Sequence, residues 1–503
     1  MSTKEQRPDT TRAATPEEKA LLTTGADYWS THAIPVLGPP RIRMSDGPHG
    51  LRVQDDDNPD HLGLGRSLPA TCFPPAVTLA SSWDPQLVRT VGEALGREAR
   101  ALGVDVVLGP GIEVKRSPLC GRNFEYYSED PLLTSRLAGA MVKGLQSQGV
   151  GACLKHFACN TQETDRLRVS ADVDERSLRE IYLRAFQLTI RESHPWTIMS
   201  AYNRINGVFA SENPWLLTQV LREEWDYDGV VVSDWGAVHD PVAAVAAGLD
   251  LRMPGQPGDP RVRDALADGG LEIAAVDRVA DRLQLLASRT EGSRSTSPVV
   301  DFDAHHEVAR RAAAESAVLL HDDGALLPID PAAVGSIALL GELARTPRYQ
   351  GAGSSAVNAT RVVSALDALQ TRLAETTSVS FAPGYVLQPD QDVTGLAEDA
   401  VVLARSCELV VLFVGLPPSY EAEGRDRTTI ELPADQVALV KAVASVNPRV
   451  VVALSNGSAV STAAWRDSVG SIVEFWLTGQ AHGDSIADVL LGDVNPSLSL
   501  IHI

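Results

Sequence analysis

Residues 229–235 read GVVVSDW. An unbroken apolar, β-branched run ends on a hydroxyl, a carboxylate and a large aromatic ring. Consecutive apolar residues mark a strand covered on both faces, as in a parallel sheet. Asp234, at the end of the run, is partly desolvated yet accessible. Trp235 offers a flat apolar face that suits sugar C–H surfaces. A plainer reading of Asp234, as N-cap of the next helix, fits the same residues.

The pattern repeats on both sides. Strand-like runs are VDVVLGPG (104–111), ACLKH (152–156), TIMSA (197–201) and LDLRM (249–253). Helical patterns separate them. Asp84 and Pro85 supply an N-cap and a first turn, Leu87, Val91 and Leu95 follow at helical spacing, and Gly103 closes the helix. Leu133, Leu137, Met141 and Leu145 mark a second helix, and others are expected near 175–193, 214–225 and 273–289. Strands alternating with helices predict an α/β domain, a (β/α)8-type barrel, complete or incomplete. Pro110, His156, Tyr202, Asp234 and Pro254 stand at the ends of these runs. A barrel gathers such ends at one mouth. The polarity of loops in general explains any one of them taken alone.

The stretch EGSRSTSPVVDFD (291–303) reads as a linker. A second alternating block follows, with strand candidates AVLL (317–320), SIALL (336–340), ELVVLFVG (408–415) and RVVVAL (449–454). Helices are expected near 304–316, 394–406 and 433–446, which predicts a three-layered α/β sandwich. The expected organisation is a loosely ordered segment 1–18, a barrel domain 19–290, the linker 291–303 and a sandwich domain 304–503.

Composition narrows the function. The 503 residues are 44% hydrophobic and 22% charged, ordinary for a globular chain. Lys and Arg number 44 against 65 Asp and Glu, a net charge of −21 that disfavours a nucleic-acid partner. No apolar run reaches about 18 residues, so no membrane partner is expected. The polar start MSTKEQRPDTTRAATPEEK has no apolar core of a secretory signal. Five scattered cysteines (Cys72, Cys120, Cys153, Cys159, Cys407) suit reduced thiols, and with that start they predict a cytoplasmic location. Their spacings hold no zinc pattern, so no metal is expected. YQGAGSS (349–355) lacks the GK[ST] and GxGxxG of phosphate loops, so no nucleotide cofactor is expected either.

Five clusters carry chemistry. In RIRMSDGPHGLR (41–52), Asp46 precedes a tight turn that holds its carboxylate toward a ligand or caps the turn itself. GRNFEYYSEDP (121–131) is dense in Arg, aromatics and acids, as a surface loop with local ion pairs also is. In LKHFACN (154–160), Lys155 and His156 sit at a strand end, where a cation lowers a nearby carboxylate pKa and donates to hydroxyls. GVVVSDW presents Asp234. SYEAEGRDR (419–427) follows a strand and holds Glu421 and Glu423 beside Arg425 and Arg427, in what alone reads as an exposed charged loop.

Together these clusters resemble glycoside hydrolase family 3, the β-glucosidase-like branch. SDGPHGLR, GRNFEYYSEDP, LKHFACN, MSAYNRINGV, GVVVSDW and an EGxDR loop occur in this order across nearly the whole chain. The resemblance implies a barrel followed by an α/β sandwich, with the active site between them. It implies Asp234 as nucleophile and Glu423 as general acid/base, with Glu421 the alternative. It also implies that Asp46, Arg122, Lys155, His156, Arg166, Met199, Tyr202 and Trp235 line the subsite for the non-reducing sugar. A related branch of N-acetylglucosaminidases takes its acid/base from a His in a KHFPGHG-like loop. KHFACNTQETDR (155–166) has no such second His. Two departures stand out: Arg425 occupies a place where an aromatic is more usual, and after GDVNPS the chain ends on SLSLIHI, read as a truncated C-terminus.

The roles set electrostatic expectations. A retaining glycosidase needs two carboxyl groups about 5–5.5 Å apart. The nucleophile stays ionised, here through Lys155, His156 and Arg122, and the acid keeps its proton through a raised pKa. The expected activity is an exo-acting retaining β-glycosidase, a β-glucosidase working through a glycosyl-Asp intermediate on a small β-glucoside or oligosaccharide. The alternatives are a β-xylosidase or α-L-arabinofuranosidase, and a sugar-binding but inactive protein. Homo-oligomerisation stays open.

Overall fold

The computed structural model describes residues 14–34, 41–54, 67–256, 258–294, 298–388, 392–496 and 498–499. The first half carries β1 (Met44–Ser45), β2 (Val106–Val107), β3 (Gly151–Phe157), β4 (Ser170–Ala171), β5 (Thr197–Ser200), β6 (Arg204–Ile205), β7 (Val208–Phe209) and β8 (Val230–Ser233). Strands β1-β2-β3-β5-β8 form one parallel sheet in that order, and β4-β6-β7 form a small side sheet. Single bridges carry the main sheet onward from Val232 to Leu251, from Arg252 to Thr24, from Gly25 to Thr31 and from Ser30 to Arg43, back beside β1. The barrel is therefore regular over five strands and closed by irregular backbone. Met44, Val106, Leu108, Cys153, Met199, Val230, Val232 and Leu251 share one buried cluster. Ala152, Leu154, Ile198 and Val231 on the alternate positions belong to another with the surrounding helices.

The second half carries β9 (Val318–His321), β10 (Ser336–Leu340), β11 (Ser378–Ala382), β12 (Leu409–Gly415), β13 (Val450–Ser455), β14 (Ser471–Glu474) and β15 (Leu498–Ser499), in the order β11-β10-β12-β13-β14-β9-β15. Only the β14–β9 pairing is antiparallel. The chain leaves β10 for β11 on one side and returns to β12 on the other. That reversal makes a crevice at the carboxyl ends of β10 and β12. Helix Ala365–Leu373 packs on His482–Leu491, and Leu396–Ser406 packs on Ala434–Ala444.

The two lobes interlock. Phe124 is buried with Val77 and Leu477. His305 Nδ1 meets Glu98 Oε1 at 2.6 Å, Thr78 Oγ1 donates to Leu477 O at 2.7 Å, and Cys72 N donates to Gln480 Oε1 at 3.1 Å.

Several sequence expectations shift. Residues 1–13 lie outside the described residues, but order begins before 18: Thr15 and Glu18 form a reciprocal cap on helix Pro16–Leu22. The linker is shorter than 291–303, because helix Ile273–Arg294 overruns its start and Asp301 caps Phe302–Ala314. Residues 295–297 lie outside the described residues. LDLRM makes single bridges and no regular strand. The region 175–193 breaks at widened turns over Leu178–Tyr182, where Leu183 N reaches Leu178 O. Of SLSLIHI, residues 498–499 pair with β9 as β15, and 497 and 500–503 lie outside the described residues.

Candidate active site

The sheet geometry gathers the sequence-selected side chains. Asp46 follows β1, and Arg122 stands on the loop after β2. Lys155 and His156 lie on β3, with Arg166 on the loop after it. Met199 lies on β5 with Tyr202 beyond, and Asp234 and Trp235 follow β8. From the second domain, Gly353 and Ser354 come from the loop after β10 and Glu423 from the loop after β12, the two strands that flank the crevice. All these residues line one cavity of about 500 Å³ between the domains, with Tyr28, Trp29 and Arg52.

Each side chain is held by local bonds. Asp234 is 8% exposed; its Oδ1 accepts from Trp235 N at 2.7 Å, and its buried Oδ2 has no hydrogen-bond partner among the described residues. His156 Nε2 stands 3.6 Å from that Oδ2. Arg122 is fully enclosed and grips Glu125 with Nε and Nη2 at 2.8 and 2.9 Å. Lys155 Nζ lies 3.4 Å from the same Glu125. Glu423 Oε1 pairs with Arg166 Nη2 at 2.8 Å and lies 3.7 Å from Arg122 Nη1, while its Oε2 accepts from Ser354 N at 2.7 Å. Gly353, with φ +116°, has to be glycine: a Cβ there would lie 2.4 Å from Glu423 Cβ. Tyr202 carries Arg166 over its ring at 4.9 Å and donates its hydroxyl to Trp235 O at 3.0 Å. Tyr28, Trp29 and Trp235 form an aromatic wall, with Trp29 and Trp235 5.4 Å apart.

The geometry separates the two candidate glutamates. Glu421 is 1% exposed and turned away from the cavity, accepting from Gly457 N at 2.8 Å and from the Ser458 hydroxyl. Arg425 is exposed, and its guanidinium reaches Ser419 O within its own loop at 3.3 Å.

The electrostatics depart from both expectations. Burial pushes the Asp234 carboxyl above its ordinary value, although Arg122, Arg166 and Lys155 pull it back. His156 lends no charge to Asp234: burial and the cations Arg122, Lys155 and Arg166 hold it neutral, far below an ordinary imidazole. Glu423 is not raised. Burial pushes it up, but Arg122, Arg166 and the Ser354 N–H outweigh that and hold it well below the carboxylate range. The sequence places cations near one carboxylate, but only the folded loops show which one they touch. Burial pushes Asp46 up to about 6, against the pull of Lys155 and with Glu423 and Asp234 pushing the same way.

Residues 60–286 match the description "Glycosyl hydrolase family 3 N terminal domain" and residues 317–500 "Glycosyl hydrolase family 3 C-terminal domain". The crystal structure of a Bifidobacterium adolescentis GH3 β-glucosidase superposes with a TM-score of 0.89 at 48% identity, over 96% of this chain and 69% of that one. The chain belongs to glycoside hydrolase family 3. The structure of β-glucosidase 3B from Thermotoga neapolitana in complex with α-D-glucose shares 35% identity over 96% of this chain and 73% of that one, with a TM-score of 0.87. An exo-α-(1→6)-L-arabinopyranosidase from Bifidobacterium longum is 47% identical over 489 residues, 96% of this chain. This family 3 chain spans 64% of that relative's length.

Five cavity residues escaped the sequence reading. Arg52 stood inside the quoted SDGPHGLR, and Tyr28 and Trp29 inside ADYWSTHA, without being singled out. Gly353 and Ser354 lie in YQGAGSS, weighed only as a phosphate loop and set aside. The signal was there: a Gly-rich turn also lets backbone approach a catalytic side chain closely.

Proposed function

We propose that the chain is an exo-acting retaining β-glycosidase, a β-glucosidase first, with Asp234 as nucleophile and Glu423 as acid/base. The observation that carries the reading is the buried Asp234 Oδ2, without a hydrogen-bond partner among the described residues, in a sugar-sized cavity that Glu423 enters from the other domain. Asp234 Oδ2 attacks the anomeric carbon, forming a glycosyl ester, while a proton from Glu423 goes to the departing oxygen. Water then attacks that carbon, giving its proton to Glu423, and the ester oxygen leaves as carboxylate. Asp46, Arg52, Lys155 and the neutral His156 supply acceptors and donors for the sugar hydroxyls. Trp235 and Trp29 face its C–H surface.

Glu423 is ionised and held by Arg166, so proton donation requires that pairing to loosen when sugar enters. The basic limb of kcat, which reports the complex, is therefore expected at higher pH than that of kcat/KM, which reports the free enzyme. Coincident limbs would show that Arg166 keeps its hold.

The arabinopyranosidase relative supports a second reading, in which the same pyranose-sized cavity takes an α-L-arabinopyranoside. A panel of aryl glycosides separates the two. Trapping with a 2-deoxy-2-fluoroglucoside, followed by peptide mapping, is expected to label Asp234. A label on any other residue overturns the assignment.

A further inference from the structure

The loop that carries Glu423 belongs to the second domain, yet it is fastened to the first just beyond that residue. Gly424 N donates to Glu163 Oε2 at 2.7 Å. The Asp426 carboxylate accepts from Gly121 N (3.1 Å), Glu163 N (2.9 Å), Thr164 N (2.8 Å) and Thr164 Oγ1 (2.7 Å). Arg427 N donates to Leu119 O at 2.8 Å. Backbone contact is equally close: a Cβ on Gly121 would lie 1.8 Å from Arg425 O. The bonding is reciprocal, since Glu163 receives the loop's amide while its own amide is received by the loop's Asp426. The Glu163 side chain, fully buried, also takes Arg166 Nη1 at 2.7 Å, and the other arm of that guanidinium holds Glu423.

We propose that Asp426 and Glu163 form a clasp across the domain boundary that positions Glu423, with Asp426 the principal positioning residue. The proposal rests on Glu423 being the acid/base. Within the loop, Arg425 N donates to Ala422 O at 3.3 Å and closes a turn over Glu423 and Gly424, which shapes the loop but does not tie it to the first domain. The Glu423 amide donates to Ala352 O, on the second-domain loop after β10, at 3.1 Å. The residues after it reach across, Gly424 through its amide and Asp426 through its side chain, and a carboxylate suits that task because its two oxygens meet donors only. In Asp426→Asn one oxygen becomes an N–H₂ facing the N–H groups of Glu163 and Thr164. The loop then shifts, and proton transfer depends on placement at the sub-ångström level.

The test compares the full chain with Asp426→Asn, the milder Thr164→Val and Glu423→Ala. The readout is kcat/KM on the preferred aryl glycoside with a phenyl and with a 2,4-dinitrophenyl leaving group. The phenyl glycoside needs acid assistance and the dinitrophenyl one does not, so Asp426→Asn is expected to lose more than about tenfold on the first and under about threefold on the second. Thr164→Val is expected to show the same split, smaller. Equal losses on both substrates, or none, overturn the clasp. If Glu423→Ala itself shows no split, the acid/base reading falls. If it shows one and Asp426→Asn does not, the clasp alone falls. Hydrogen exchange gives a readout independent of turnover: the amides of Gly121, Glu163, Thr164 and Gly424 are expected to lose protection in Asp426→Asn, and unchanged protection at these four overturns the proposal.

Discussion

Asp46 shows what a carboxylate lining the cavity costs the fold. Its proton is held up to about 6 in the folded chain, against about 3.9 for an exposed Asp. A carboxyl raised on folding binds its proton more tightly in the native state. Stability is therefore greatest below the unfolded value, falls as pH rises through about 4 to 6, and stays low above. Asp46→Asn is expected to raise stability by on the order of 3 kcal/mol at pH 7.5 and by about half as much at pH 5, read as a rise in Tm, while the KM for a β-glucoside rises steeply. Equal gains at both pH values would contradict this. Gly353→Ala tests the other side of the cavity. Its Cβ has no room beside Glu423, so kcat/KM on a poor leaving group is expected to fall at least about tenfold, with a stability loss of about 1–2 kcal/mol from the left-handed backbone.

At the level of elements, the capped and strongly periodic segments were legible. Asp84 does accept from Gln86 N and Leu87 N, at 2.7 and 3.2 Å, at the start of Pro85–Ala101. Asp84→Ala is expected to lower stability by about 1 kcal/mol without changing kcat, checked by denaturant titration beside a steady-state assay. The almost wholly apolar β12 and β13 were legible because both faces are buried. Ser378–Ala382 was not found, since it lies at the sheet edge and only its last residue is fully buried. Ser471–Glu474 is four residues long and ends on a carboxylate buried against Asn456 Nδ2 at 2.9 Å, which no local pattern announces. The same holds at the site. Ten residues gathered by motif order share one cavity, but the pairing of Arg166 with Glu423 depends on how two distant loops meet. Neither loop's sequence records that meeting.

At the level of the whole molecule, the cavity belongs to neither domain. A sugar that touches both is expected to stabilise them as a unit: at a hundred times Kd, glucose or an iminosugar adds about 2.7 kcal/mol to a two-state chain. A single transition that does not move with ligand would contradict this. Phe124 stands at the seam, and Phe124→Ala is expected to cost about 3–5 kcal/mol and to separate one calorimetric transition into two. The grip on the Glu423 loop comes from a few polar bonds across the seam, whereas each sheet rests on its own apolar interior. Moderate denaturant should therefore loosen that loop while circular dichroism still registers intact strands and helices. If the proposed activity holds, turnover would be the first property to disappear, a more sensitive gauge of damage than any spectroscopic measure of secondary structure.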